Sequence, residues 1–381
     1  MPLIYTCRLN IMTKNITIKD IALQVGVSHV TVSHALRNSP IVKEQTRQRI
    51  HEVAQELGYQ PNFAARSLIN RSTKALGIYV APRPWSGLGN TYENRILRGI
   101  EQAAKQAQYD LMLINLTGDE SGEVCVQKLA QRRVDGMMLI SPEAQAPWVT
   151  ELAKYTRNVV MIDPVCPNPH FKTVLFDNTL AVQLAVKHLH DLGHRRIGFL
   201  GSCLASPTQD SIFRQEAFVQ VAQEMGLKLD PAWIFHGSDP AKPLDGEDHY
   251  CQIEGIRGAR HMLQMPLDQR PTALLAYNDL VAVHAMRHLA TQLSLPAQMS
   301  VVSIDDSDWC LLVEPHLTSV RHPLDQMGQV AVQWLVEHLI DKNITDKAEN
   351  RVRLFKPELV VRKSATKLNG YEIKTIKGEK K

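Results

Sequence analysis

From Ala75 onward, short apolar runs alternate with amphipathic stretches, and this alternation limits the fold more than any other feature of the chain. The runs are "ALGIYV", "DLMLINL", "GMMLIS", "VVMID", "TVLFD", "RIGFLG", "ALLAYN" and "SVVSID". Most hold four to seven residues rich in Val, Ile and Leu, and segments with helical spacing such as 92–107 and 180–192 separate them. Apolar runs of this length, with both faces hydrophobic, are strands of parallel sheets, which need helices on either side. About nine strands is more than one compact sheet holds comfortably, so the pattern predicts two α/β lobes with a cleft between them.

Sheets of this kind bind ligands beyond the carboxyl ends of their strands. Asp163, Asp177, Asn278, Asp279, Asp305 and Asp306 all stand there. A single such aspartate is as readily a helix cap. Carboxylates and amides at several strand ends, drawn from both lobes, predict a polar ligand in the cleft.

The N-terminal part follows a different rule. In "TIKDIALQVG", Thr17 and Asp20 form a capping pair, and Ile21, Ala22 and Val25 share a face before Gly26 ends the helix. Ser28 caps a second helix whose inward face is Val32, Ala35 and Leu36, until "RNSP" breaks it. A third helix places Ile50, Val53, Ala54 and Leu57 at helical spacing and stops at Gly58. Two short helices joined by a glycine turn match the helix-turn-helix, which sets its second helix in the major groove. His29, Val30, Thr31 and His34 then face outward, with side chains suited to base edges, phosphates and thymine methyls. A helical hairpin in an enzyme core has the same spacing, so the pattern alone leaves both readings open.

Charge separates them. Between Thr13 and Lys74 there are nine Lys and Arg against four Asp and Glu, whereas the whole 381-residue chain carries only +4. The positive excess is confined to this segment, as in a polyanion-binding module on a near-neutral body.

The ordered motifs "ITIKDIALQVGVSHVTVSHAL", "LGYQPNFAARSL", "QRRVDGMMLI", "HLHDLGHRRIGFLGS", "AYNDLVAVHAMRHL", "MSVVSIDD" and "PHLTSVRHPLDQMGQ" resemble the lactose-repressor (LacI) and purine-repressor family over residues 16–364. The resemblance implies an all-α helix-turn-helix DNA-binding domain at 16–60 and a hinge helix and linker at 61–73. A two-lobed α/β domain of the type I periplasmic-binding-protein kind, for effector binding and dimerisation, would span 74–364, and 365–381 would be a basic tail. It implies DNA contacts by Thr17, Ser28, His29, Val30, Thr31, His34, Tyr59, Asn62, Ala65 and Leu68. Leu68 would act as a minor-groove wedge on a hinge that orders only on DNA. It implies an effector site at Tyr92, Asp163, Asp177, Arg214, Asn278 and Asp305, with a sugar or sugar phosphate the expected ligand and a purine less favoured. The partners expected are double-stranded operator DNA, the effector and a second copy in a homodimer.

The sequence departs from the family in several places. Ser303 and Ile304 replace the usual glycine and tyrosine, "RQEAF" lacks the glycine that relatives carry before the aromatic, and 238–256 is long, leaving Trp85, Trp233 and Tyr250 as weak candidates for a stacking aromatic.

Other chemistries find little support. His188, His190 and His194 do not share one helical face, "DDSD" lacks the rest of an EF-hand loop, "GLGN" is not a dinucleotide fingerprint, and no nucleophile stands beside a base. No metal, cofactor or catalytic residue is expected, which disfavours a sugar-metabolising enzyme. The six scattered cysteines read as reduced and structural. With no membrane span and no signal peptide in view, the expected setting is the cytoplasm, which disfavours a secreted solute-binding protein. The family pattern begins near Ile16, so Met12 is the expected start, and the tail lacks the leucine heptads of a tetramerising coil.

Overall fold

The computed structural model describes residues 16–60, 72–81, 91–114, 122–202, 209–235, 247–340 and 351–368. The chain divides into two compact units between Ser72 and Thr73.

The first unit holds α1 (Ile18–Val25), α2 (His29–Ala35) and α3 (Glu44–Glu56). Asp20 closes the start of α1 by accepting from both the backbone N–H and the hydroxyl of Thr17, at 2.8 and 2.7 Å. Gly26 ends it at φ +75, a left-handed conformation that costs glycine little, and so turns the chain into α2 within two residues. Ser28 Oγ accepts from Thr31 N–H at 3.1 Å and caps α2. Ile21, Ala22, Val32, Ala35, Val42, Ile50, Val53 and Ala54 form a small core shared by all three helices, with Leu36 and Leu57 packed on its margin.

The second unit contains two six-stranded sheets. The first runs β11-β5-β4-β3-β1-β2, built from β1 (Ala75–Val80), β2 (Asp110–Ile114), β3 (Gly136–Ile140), β4 (Val159–Ile162), β5 (Lys172–Phe176) and β11 (Val352–Phe355), with every pairing parallel. The second runs β12-β10-β9-β8-β6-β7, from β6 (Ile197–Leu200), β7 (Ile234–Phe235), β8 (Ala273–Ala276), β9 (Ser300–Asp305), β10 (Thr318–Arg321) and β12 (Glu358–Val360), where only the β10–β12 pair is antiparallel. All eight apolar runs predicted as strands are present. The period of two also shows why the runs are continuous: Leu76, Ile78 and Val80 enter one core while Tyr79 enters another, and Met138 and Ile140 divide likewise from Met137 and Leu139.

Helices cover these sheets: α4 (Thr91–Gln106), α5 (Glu123–Ala130), α6 (Pro147–Tyr155), α7 (Asn178–Asp191), α8 (Gln209–Glu224), α9 (Glu247–Gln264), α10 (Asp279–Leu289) and α11 (Leu324–Ile340). The chain passes between lobes three times. It leaves β5 of the first sheet for α7, which packs on the second; it leaves β10 of the second sheet for α11, which packs on β3, β4 and β5 of the first; and it passes from β11 to β12. Two glycines bring α11 close against α4: a Cβ on Gly99 would strike the carbonyl of Asp325, and one on Gly328 the carbonyl of Ile96. Among the described residues no helix is long and apolar enough to cross a membrane.

Candidate functional site

In the helical unit, α2 is two-sided. Val32 and Ala35 are fully buried, whereas Val30 is 52% exposed and His29 is also exposed. Thr31 and His34 are partly covered, and the Thr31 hydroxyl lies 2.9 Å from that of Ser28, so the cap and its neighbour hold one another. Ser28 therefore presents its hydroxyl already engaged at the start of a seven-residue helix. Thr17 sits at the N-terminus of α1, and Tyr59 follows α3, its N–H donating to Ala54 O at 2.8 Å. Lys19, Arg37, Lys43, Arg49 and His51 are exposed on the same unit. Asn62, Ala65 and Leu68 lie outside the described residues.

In the second unit the strand ends converge where the lobes meet. Asp163 follows β4 in the first lobe, and its carboxylate accepts from Tyr92 OH at 2.7 Å and from Phe176 N–H at 3.4 Å. Arg214, on α8 of the second lobe and 3% exposed, donates to Asn178 Oδ1 (2.8 Å), Tyr277 O (2.5 Å) and Asp305 Oδ1 (3.2 Å). Asp163 and Asp305 both have positive φ, +50 and +127, rare for residues other than glycine and typical of strain held at functional sites.

Four of the six expected effector residues thus form two paired groups facing each other across the lobes. The other two are helix caps: Asp177 Oδ1 accepts from Leu180 N–H at 2.9 Å, and Asn278 Oδ1 from Val281 N–H at 2.8 Å. Asp177 nonetheless lines a cavity of about 350 Å³ between the lobes, together with Asp163, Phe176, Asn178, Asp210 and Glu216. Of the weak aromatic candidates, Trp233 is a core residue, 3% exposed, with its indole N–H donating to Gln269 O at 2.8 Å. Trp85 and the side chain of Tyr250 lie outside the described residues.

Sequence reasoning missed the residue that joins the two groups. His322 sits in the crossing after β10, stacked on Phe176 with ring centroids 3.7 Å apart. Its ring nitrogens lie 3.9 Å from Asp163 and 3.8 Å from Asp305, beyond hydrogen-bond reach, and both are buried with no hydrogen-bond partner among the described residues. In "TSVRHP" polar residues outnumber apolar ones, so this strand and the His322 that follows it stood out less than the eight apolar runs. Arg95 was missed too. From α4 it donates to the carbonyls of Asp305 (3.0 Å) and His322 (3.2 Å), bracing one lobe against the other.

Burial decides the protonation of this cluster. It raises Asp163 above the ordinary carboxylate value despite His322 and Tyr92, raises Asp305 to about 6 despite Arg214, and pushes His322 down to about 3 despite Asp163, leaving the imidazole neutral. Other strand-end acids have internal duties. Asp279 accepts from the hydroxyls of Ser303 and Ser319 at 2.6 Å and from Ser307 N–H at 2.6 Å, so the serine that replaces the family's glycine supplies a hydrogen bond to a buried carboxylate. Asp306 is held by Arg321 at 2.8 Å. His194 is a buried tie, with Nδ1 2.9 Å from Thr272 Oγ1 and Nε2 3.1 Å from Ser300 Oγ.

A helix-turn-helix unit followed by a two-lobed α/β unit with polar residues gathered at its crossings defines a DNA-binding regulator with an effector domain. Residues 17–62 match the model of bacterial regulatory proteins of the lacI family, and residues 186–365 match a periplasmic binding protein-like domain. The chain is 30% identical over 355 residues to the HTH-type transcriptional repressor PurR of Aliivibrio salmonicida, covering 92% of this chain and 99% of that one. It is 29% identical over 352 residues to the ribose operon repressor of Haemophilus influenzae, covering 91% and 98%. The fold matches that of a lac repressor dimer bound to operator and an anti-inducer, with a TM-score of 0.74 and 24% identity, over 93% of this chain and all of that one. The chain belongs to the LacI family of bacterial regulatory proteins: it is a transcriptional regulator in which effector binding controls DNA binding.

Proposed function

We propose that the protein is a cytoplasmic, non-enzymatic repressor that binds a pseudo-palindromic operator as a homodimer and is switched by a sugar-like effector held between its lobes. The observation that carries this reading is the pairing of Tyr92–Asp163 on one lobe with Arg214–Asp305 on the other, with Asp163 also lining a cavity of about 350 Å³ between the lobes. A ligand that engages both pairs favours one lobe orientation over others. It can shift the DNA-competent population only by its differential affinity for the two arrangements.

On the DNA side, Ser28, His29, Val30, Thr31 and His34 belong to the groove-reading helix, and Thr17, Tyr59 and Asn62 lie near phosphates. Ala65 and Leu68 enter the minor groove. The domain limits proposed are 16–60 for DNA binding, 61–73 for the hinge, 74–364 for the effector domain and 365–381 for the tail. Two recognition helices about one helical turn apart suit a two-fold operator.

The test is selection of a preferred duplex from a random pool, followed by anisotropy titration at several salt concentrations. Specific binding that weakens steeply with salt supports the reading, and binding equal to all sequences would overturn it. His29→Ala and Val30→Ala should each lower discrimination at one operator position by about 1–3 kcal/mol while leaving the folding of the helical unit intact.

A further inference from the structure

A buried imidazole is ordinarily held at its ring nitrogens, because a polar group taken out of water without a partner costs stability. His322 departs from this. Its side chain is 1% exposed, and neither ring nitrogen has a hydrogen-bond partner among the described residues. The ring is nonetheless well packed: it stacks on Phe176 with centroids 3.7 Å apart, and the Tyr92 ring meets it edge-on at 5.6 Å. Its backbone is tied to both lobes. The N–H donates to Asp305 O at 3.3 Å, extending the register that pairs Arg321 with Asp305 in the second sheet, and the carbonyl accepts from Arg95 of α4 at 3.2 Å. The two nearby carboxylates therefore differ. Asp305, 3.8 Å from Nδ1, ends the strand beside the one that leads into His322, so strand pairing sets their separation. Asp163, 3.9 Å from Nε2, follows a strand of the other lobe and lines the interlobe cavity, so this separation changes when the lobes move.

Resting on the effector-binding reading above, we infer that His322 is a positioning residue, a latch whose Nε2–H bonds the Asp163 carboxylate once a ligand draws the lobes together and releases it when they part. A shift of about 1 Å turns the 3.9 Å separation into a hydrogen bond. Burial keeps the ring neutral, pushing its pKa down to about 3, so one nitrogen carries a proton to donate. The Oδ2 atom nearest Nε2 already accepts from Tyr92 OH at 2.7 Å, and a carboxylate oxygen takes two donors. The stack on Phe176 lets the ring slide in its own plane without losing contact. A ligand hydroxyl bonded to Asp163 from the cavity and the imidazole behind it then hold the same carboxylate. Ligand affinity comes to depend on a residue that the ligand does not touch.

The experiment compares His322→Phe, His322→Leu and His322→Gln with the parent full-length chain, by thermal melting and by calorimetric titration with ribose, glucose and galactose. Without sugar, the Phe and Leu variants should melt at or above the parent, because they remove buried nitrogens that have nothing to bond. Sugar affinity should fall about tenfold in both, and the Gln variant, whose amide restores an N–H, should recover most of it. A side chain that merely fills space gives the opposite pattern, lower melting with unchanged affinity. Both apolar variants melting below the parent, equal sugar affinity across the series, or a Gln variant as weak as the Phe variant would each overturn the inference. Should none of the three sugars stabilise the parent chain, the sugar reading falls, while the melting order without sugar still supports or overturns the latch.

Discussion

The two units place their proposed working residues at opposite extremes of burial. In the helical unit His29 and Val30 stand in solvent on a helix whose other face is core, and no long-range contact is needed to aim them. In the lobed unit Asp163, Arg214 and His322 are buried, and they meet only because the chain crosses between sheets near each of them. A recognition surface built on one short helix tolerates replacement of its outer residues without cost to the fold. A cleft built from buried charges does not separate stability from function.

The sharpest way to break that contrast is Arg214→Ala. It leaves Asp305 without its cation and Tyr277 O and Asn178 Oδ1 without their donor. The expected loss is about 3–5 kcal/mol of stability in the lobed unit, together with the effector response. Calorimetry should show one transition lowered and the helical unit unchanged; a fully stable variant with a normal response would show the cluster to be misassigned.

Val32→Ala probes the other unit from within. Val32 is fully buried in a core of only eight residues, and losing two methyl groups there should cost about 2 kcal/mol and weaken operator binding in proportion to the unfolded fraction. Effector binding to the same variant should be unchanged, and a loss of it would mean that the units do not behave independently.

The smallest effect concerns pH. Asp305 is raised in the folded state, so between the ordinary carboxylate value near 3.8 and about 6 the folded protein holds more protons than the unfolded chain. Stability of the empty lobed unit should therefore fall as pH rises through that window, and the favourable contribution at low pH should be gone above it. Asp305→Asn should flatten this slope, as followed by melting temperature between pH 4 and 7. The helical unit gives no reason to expect a matching slope.

How much of each region was legible follows from the same difference. The helix boundaries, the glycine turn and the inward face of α2 depend on spacing within seven residues, and Thr17, Ser28, Gly26 and Val32 stand in the predicted places. The buried strands were legible as continuous apolar runs. The edge strands were not: β11 and β12 have mostly exposed or half-exposed residues, and β7 is two residues long, so none carries a run to recognise. Within the cleft, Asp163 and Arg214 followed from family positions. The division of labour among the acids did not, because Asp177 and Asn278 cap helices and Asp279 satisfies three serines through contacts 24–40 residues away in sequence. Arg95 and His322 met at a separation of 227 residues, which no local pattern encodes.

The three crossings also order events during synthesis. The helical unit is complete once Glu56 and its neighbours have emerged, and its contacts are all local. The first lobe lacks an edge strand until Phe355 is made and its covering helix until Ile340, while the second waits for Val360 to fill its own edge. A ribosome translating this chain therefore releases a finished DNA-binding head some three hundred residues before either half of the effector domain can close. Until then the growing chain could bind DNA without any means of sensing the ligand.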